Sequence, residues 1–126
     1  MANSLKELMA EARAAVPAID PVNAAALMAT SDPLVIDVRD GMEVRASGKI
    51  PGAVHVSRGL LEFKADPDSP MYDPEFRKDR TVLVYCASGV RSALAGKTLK
   101  DFGFQDVRNL GGFQDWIAHG GKVEKV

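Results

Sequence analysis

The chain holds one cysteine, Cys86, which stands five residues ahead of Arg91 in the stretch CASGVR. A cysteine acts as a nucleophile only as the thiolate, whose pKa of about 8.5 in the free residue falls to roughly 3.5 to 7.5 at a helix N-terminus or beside a cation. This stretch offers both. Ala87, Ser88, Gly89 and Val90 bring backbone N–H groups with little side-chain bulk in the way, and a helix predicted to begin near Arg91 points its free N–H groups at the same place. Successive amides curled in this way form an anion nest. Gly89 supplies the positive φ that closes the curl. Arg91 adds a permanent charge with forked donors suited to an oxyanion. A buried structural thiol, packed as a small hydrophobe, would need none of these.

Composition narrows the chemistry further. One cysteine forms no internal disulfide, and His55 and His119 are the only histidines beside it, too few ligands for a zinc site of Cys/His type. The formal charge of −1 gives no general reason for nucleic acid or an anionic membrane to bind, and Arg77, Lys78 and Arg80 are interspersed with acids. No apolar run approaches the length of a membrane span, and Glu7 and Glu11 interrupt the opening MANSLKELMAEARAAV where a secretory signal would be apolar. The expected location is the cytoplasm. With 126 residues, 46% of them hydrophobic and 26% charged, the chain is sized for one packed core.

The elements that must position the thiol can be read along the chain. Ser4 and Glu7 have capping-box spacing, and Leu5, Leu8, Met9, Ala12 and Val16 form one stripe of an N-terminal helix ending near Pro17. Asp20 and Pro21 suit the start of a second helix that stops before Asp32 and Pro33. LVIDV (34–38) reads as a buried strand, Met42 to Ala46 as a short helix, and Ala53 to Val56 as a brief strand. Leu60, Leu61 and Phe63 fit one helical turn, and ADPDSPMYDP has the composition of a surface loop. TVLVY (81–85) is the strongest strand signal; Leu94, Ala95, Thr98, Leu99 and Phe102 follow at helical spacing, with Gly103 placed to end that helix. DVRNL (106–110) predicts another strand and GGFQDWIAHGG a turn into a short helix. Strands alternating with helices indicate an α/β domain on a mainly parallel sheet, whose functional crevice lies beyond the carboxyl ends of the strands. Both DVR and CASGVR fall at such ends.

Two known uses of a cysteine and an arginine remain open on spacing alone. Protein-tyrosine-type phosphatases place both in an anion-binding loop with one residue more between them than the four found here. The shorter curl argues for sulfur over phosphoryl transfer without deciding it. A cysteine hydrolase needs a histidine base, and neither His55 nor His119 sits in a recognisable motif.

The third use carries a specific resemblance. IDVRDGMEVRASGKIPGAVHV resembles the upstream signature of the rhodanese family, with Asp37, Arg39, Glu43, Gly48, Ile50, Pro51, Gly52 and Ala53 at matching positions. CASGVRS resembles that family's active loop, and GGFQDW with Gly120 and Gly121 resembles its C-terminal end. The likeness spans roughly residues 18–124. It departs at Lys49 and Lys122, and at the uncharged Ala87 and Ser88, where some thiosulfate-using members carry basic residues.

The resemblance implies a rhodanese-like three-layer fold: a mainly parallel central sheet flanked by helices, with residues 1–17 as an added helical extension and 18–126 as the domain. It implies ping-pong sulfur transfer without a metal or organic cofactor. Cys86 would take sulfur from a donor such as thiosulfate and pass it to cyanide, a thiol or a partner protein. The loop from Ala87 through Ser88, Gly89 and Val90 to Arg91 would hold the persulfide. Asp37 and Arg39 are expected as a buried supporting pair, Glu43 as part of that network or a cap, and Arg58 at the pocket mouth. Related folds also serve as binding modules, usually without the cysteine. The N-terminal helix is expected to cover its own domain, leaving a monomer or weak dimer.

Overall fold

LVID and VLVYC are apolar runs short enough to be strands buried on both faces. They form the centre of the sheet. The structure, a computed structural model, describes residues 3–126; Met1 and Ala2 of the expected N-terminal extension lie outside the described residues. Strands β1 (Leu34–Asp37) and β3 (Val82–Cys86) pair in parallel, from Leu34 opposite Val82 to Asp37 opposite Tyr85. Flanking them are β2 (Val54–His55) on β1 and β4 (Val107–Gly112) on β3, giving four parallel strands in the order β2-β1-β3-β4.

Among the described residues six helices surround this sheet: α1 (Leu5–Ala15), α2 (Pro21–Thr30), α3 (Gly41–Ser47), α4 (Leu61–Ala65) after a 3-10 turn at Arg58–Leu60, α5 (Val90–Asp101) and α6 (Phe113–Ala118). Their starts follow from capping chemistry. Ser4 Oγ accepts from Glu7 N at 3.1 Å, and Asp20 Oδ1 accepts from Asn23 N at 2.8 Å with Pro21 in the first turn. Asp40 and Glu43 form a reciprocal box at the start of α3.

The period of two along a strand sorts the core into two layers. Leu34, Ile36, Val38, Val82, Val84 and Cys86 face Leu61, Phe76, Ala95 and Leu99, beneath α4 and α5. Val35, Leu83 and Tyr85 face the other way, onto Ala24, Ile50, Phe113 and Trp116. The result is a three-layer α/β arrangement with α1 added outside α5, where Met9 and Ala12 pack on Ala93 and Leu94.

Several expectations shift in detail. Met9, Ala12 and Val16 of the N-terminal stripe are buried, but Leu5 and Leu8 are exposed, because α1 rests on a single helix and needs only a narrow seam. Phe63 is also exposed; in the five-residue α4, Leu61 and Ala65 face inward and use up the buried side. β2 is shorter than predicted, while β4 runs on to Gly112 through an irregularity opposite Val84 and Tyr85 that leaves Leu110 as an extra residue. No helix among the described residues is long and apolar enough to cross a membrane.

Candidate active site

Cys86 ends β3 with its side chain on the α5 face, so its sulfur lies directly beneath the start of that helix. The chain then curls. Gly89 takes φ +98°, and α5 begins at the next residue. Gly89 N–H points back at the sulfur, with N to Sγ at 3.0 Å, and Ser92 N–H does so at 3.4 Å. The Ser92 hydroxyl is also 3.4 Å from Sγ. Cys86 is fully buried, which pushes its thiol up. Hydrogen bonds from the Ser92 hydroxyl and the amides of Ser92, Gly89 and Ser88 more than offset that, so the thiol lies below its ordinary value.

Close approach shapes this loop as much as the hydrogen bonds do. A Cβ on Gly112 would sit 2.6 Å from the carbonyl oxygen of Ala87, so the end of β4 must be glycine for the loop to settle against it. Ser88 adds an amide near the sulfur, while Val90 opens α5; the amides of Ala87, Val90 and Arg91, expected as donors, are not among those bonded to the sulfur in the described residues.

Arg91 lies on the first turn of α5 and is bound by Glu43 through two parallel bonds of 2.8 and 2.9 Å. That carboxylate also accepts from Asp40 N at 2.9 Å, closing the box at the start of α3. Arg91, followed by the Asp40 amide, holds the Glu43 carboxyl down to about 2, and Glu43 in turn raises Arg91 above its already high value. The cation therefore stands at the loop as half of a fixed ion pair.

Asp37 and Arg39 form a fully buried pair. Arg39 Nη2 donates to Asp37 Oδ2 at 2.7 Å and to the Gly48 carbonyl at 2.6 Å, Nη1 donates to Ser47 Oγ, and the guanidinium lies 4.3 Å from the Phe113 ring centre. By strand alternation Asp37 points to the face opposite Cys86. The pair reaches the loop indirectly, by fixing the end of α3, whose first turn carries Glu43.

Arg58 is directed elsewhere. Its guanidinium donates to Glu62 Oε1 at 3.0 Å and to Thr98 Oγ1 at 2.9 Å, two turns along α5 from the loop. It lines a cavity of about 370 Å³ with Leu8, Glu11, Leu94, Lys97 and Asp101, under α1. His55 donates through Nε2 to the Arg39 carbonyl at 2.7 Å, and His119 bonds the Asp115 carbonyl within α6. Both serve backbone groups.

Known proteins resemble this chain across the segment that carries the site. A family model described as "Rhodanese-like domain" matches residues 20–119. The chain belongs to the rhodanese-like domain family. A sulfurtransferase of Allochromatium vinosum is 38% identical over 92 residues, covering 72% of this chain and 78% of that one. A thiosulfate sulfurtransferase of Coxiella burnetii is 33% identical over 94 residues, covering 74% and 79%. A solved structure from Rhodopseudomonas palustris, described as a protein of unknown function and possible tyrosine phosphatase, superposes with a TM-score of 0.90 at 39% identity over 98% of this chain and 96% of that one. The chain spans only 36% and 43% of two longer relatives.

Two residues of this rhodanese-like site are not evident from local sequence, Ser92 and Asn109. Ser92 follows Arg91 and carries a hydroxyl onto the sulfur, a role its place one helical turn after Gly89 could have suggested. Asn109, on β4, accepts from that hydroxyl at 2.7 Å; no nearby residue in the chain marks it.

Proposed function

We propose that this rhodanese-like protein is a sulfurtransferase that carries a sulfane sulfur on Cys86. The observation that carries the reading is the convergence of the Gly89 and Ser92 amides on one buried sulfur at the start of α5. Such donors stabilise a thiolate, and would equally stabilise the terminal sulfur of a persulfide, in a site where no solvent must reorganise. The thiolate attacks the outer sulfur of a donor such as thiosulfate, the S–S bond to the donor breaks, and sulfite leaves with its electron pair. Cyanide or a thiol then attacks the outer sulfur of the persulfide and returns Cys86 as the thiolate. Neither half needs a metal or an organic cofactor.

In this reading Ala87, Ser88, Gly89 and Val90 form the cradle. Arg91, fixed by Glu43, balances the anion at its rim, and Asp37 with Arg39 supports the cradle through α3. Arg58, turned toward Thr98, holds α4 on α5 instead of bordering the mouth. The names of the Allochromatium and Coxiella relatives support sulfur transfer; the proposal extends to small-molecule or protein thiol acceptors in the cytoplasm.

Phosphoryl transfer is the reading suggested by the Rhodopseudomonas neighbour. Against it stand the four residues between Cys86 and Arg91, one fewer than in protein-tyrosine-type phosphatases, and a guanidinium already held in two parallel bonds by the Glu43 carboxylate, which offsets its charge. Thiocyanate formation from thiosulfate and cyanide tests the proposal. The expected result is steady turnover that Cys86→Ser abolishes. Retained turnover in that variant, or hydrolysis of an aryl phosphate in place of thiocyanate formation, overturns it.

A further inference from the structure

The Ser92 hydroxyl has one proton and two neighbours that can accept it. Asn109 Oδ1 is 2.7 Å away and Cys86 Sγ is 3.4 Å away. The orientation of the Asn109 amide is dictated by backbone groups. The Gly111 N–H, at 2.9 Å, requires an oxygen on one side, and the Gly89 carbonyl, at 3.2 Å, requires the NH2 on the other. The short contact to Ser92 therefore joins two oxygens, and the proton in it can come only from serine. When Cys86 is a thiol, its S–H donates to Ser92 Oγ and the Ser92 O–H donates to Asn109. When the sulfur is an anion it has no proton to give, and the serine hydroxyl can serve it only by leaving Asn109.

We propose that Asn109 is a positioning residue for the sulfur chemistry, holding the Ser92 hydroxyl away from the resting thiol and yielding it to sulfur only when sulfur bears the negative charge. The change is a rotation about the serine C–O bond. Ser92 keeps its proton throughout, and the cysteine proton is the only one that leaves. The same asparagine bonds Pro17 and Ile19 through its backbone, so its place is set by the segment joining α1 to α2 as well as by β4.

This inference rests on Cys86 as the nucleophile, but its test reads ionisation and not transfer. The other charges around the sulfur are accounted for. Arg91 on α5 acts on Cys86 and is held by Glu43 on α3, the Asp37 carboxylate points across the sheet and is paired with Arg39, and Asp106 with Arg108 pair at the opposite end of β4.

The experiment is the thiolate titration of Cys86, followed by ultraviolet absorbance, in a double-mutant cycle of Asn109→Leu and Ser92→Ala. Freed from Asn109, the hydroxyl should serve the anion better. Asn109→Leu alone is expected to lower the thiol pKa by about one pH unit, the size of one hydrogen bond to a charged group. In the Ser92→Ala background the same substitution should produce no such drop. Asn109→Asp, which keeps two acceptor oxygens, is the second variant should the leucine not fold. It is expected to raise the pKa more with Ser92 present than in the Ser92→Ala background. Equal effects of an Asn109 substitution in both backgrounds, or none in either, would overturn the proposal.

Discussion

The proposed reactivity of Cys86 rests on geometry that single substitutions can test. The loop lies so close to β4 that Gly112→Ala would place a methyl 2.6 Å from the Ala87 carbonyl oxygen, and the backbone must move to relieve it. Displaced amides donate less well to sulfur, so the thiolate should form at higher pH and sulfur transfer should fall on the order of a hundredfold, as for other misplacements of about 1 Å. A thiolate titration curve unchanged from wild type would show that Gly112 does not set the loop. The loop geometry around Cys86, with the positive φ of Gly89 and a helix starting beside Arg91, was legible in the sequence because a thiol, a glycine and a cation within one short loop restrict each other. Ser92 and Asn109 were not, since a serine and an asparagine 17 residues apart acquire a shared role only when α5 and β4 pack side by side.

Among the elements, α3 is the one that transmits support to the loop. Its first turn holds Arg91 through Glu43, and its last turn is fixed by Arg39, which depends on Asp37. Asp37→Asn leaves a buried guanidinium without its counter-charge and is expected to cost about 3 to 5 kcal/mol. Urea unfolding should show the midpoint falling with little change in slope; a midpoint within error of wild type would mean that Ser47 and Gly48 suffice to hold Arg39. The start of α3 was readable from Asp40 and Glu43, as were the central strands from their unbroken apolar runs. Residues 57–80 were readable only in part: the helical turn near Leu61 and the loop after it fall where expected, but not which side chains turn inward. A 3-10 turn leads there into a five-residue helix, too short for helical periodicity to say which of Leu60, Leu61 and Phe63 turns inward.

At the scale of the whole molecule, the alternation of strands and helices announced a parallel sheet, but the order β2-β1-β3-β4 depends on which crossover passes over which face, and no local pattern carries that. The N-terminal helix was expected to cover its own domain, and it lies on α5 with Met9, Ala12 and Val16 buried. Deleting residues 1–16 removes two large buried side chains, Met9 and Val16, worth about 3 to 6 kcal/mol together. Thermal unfolding should fall on the order of 10 °C. Sedimentation is expected to show a monomer for the full chain and self-association once the Ala93 and Leu94 face is bared. A full-length dimer that dissociates on truncation would contradict this placement of α1. The central claim, that this fold builds a persulfide site at Cys86, is tested most directly by the intact mass of the protein after incubation with thiosulfate and then cyanide. The account predicts a gain of one sulfur atom that cyanide removes and that Cys86→Ser never acquires. A chain that takes up no sulfur from thiosulfate or from a small-molecule persulfide, or that takes it up equally without Cys86, contradicts it.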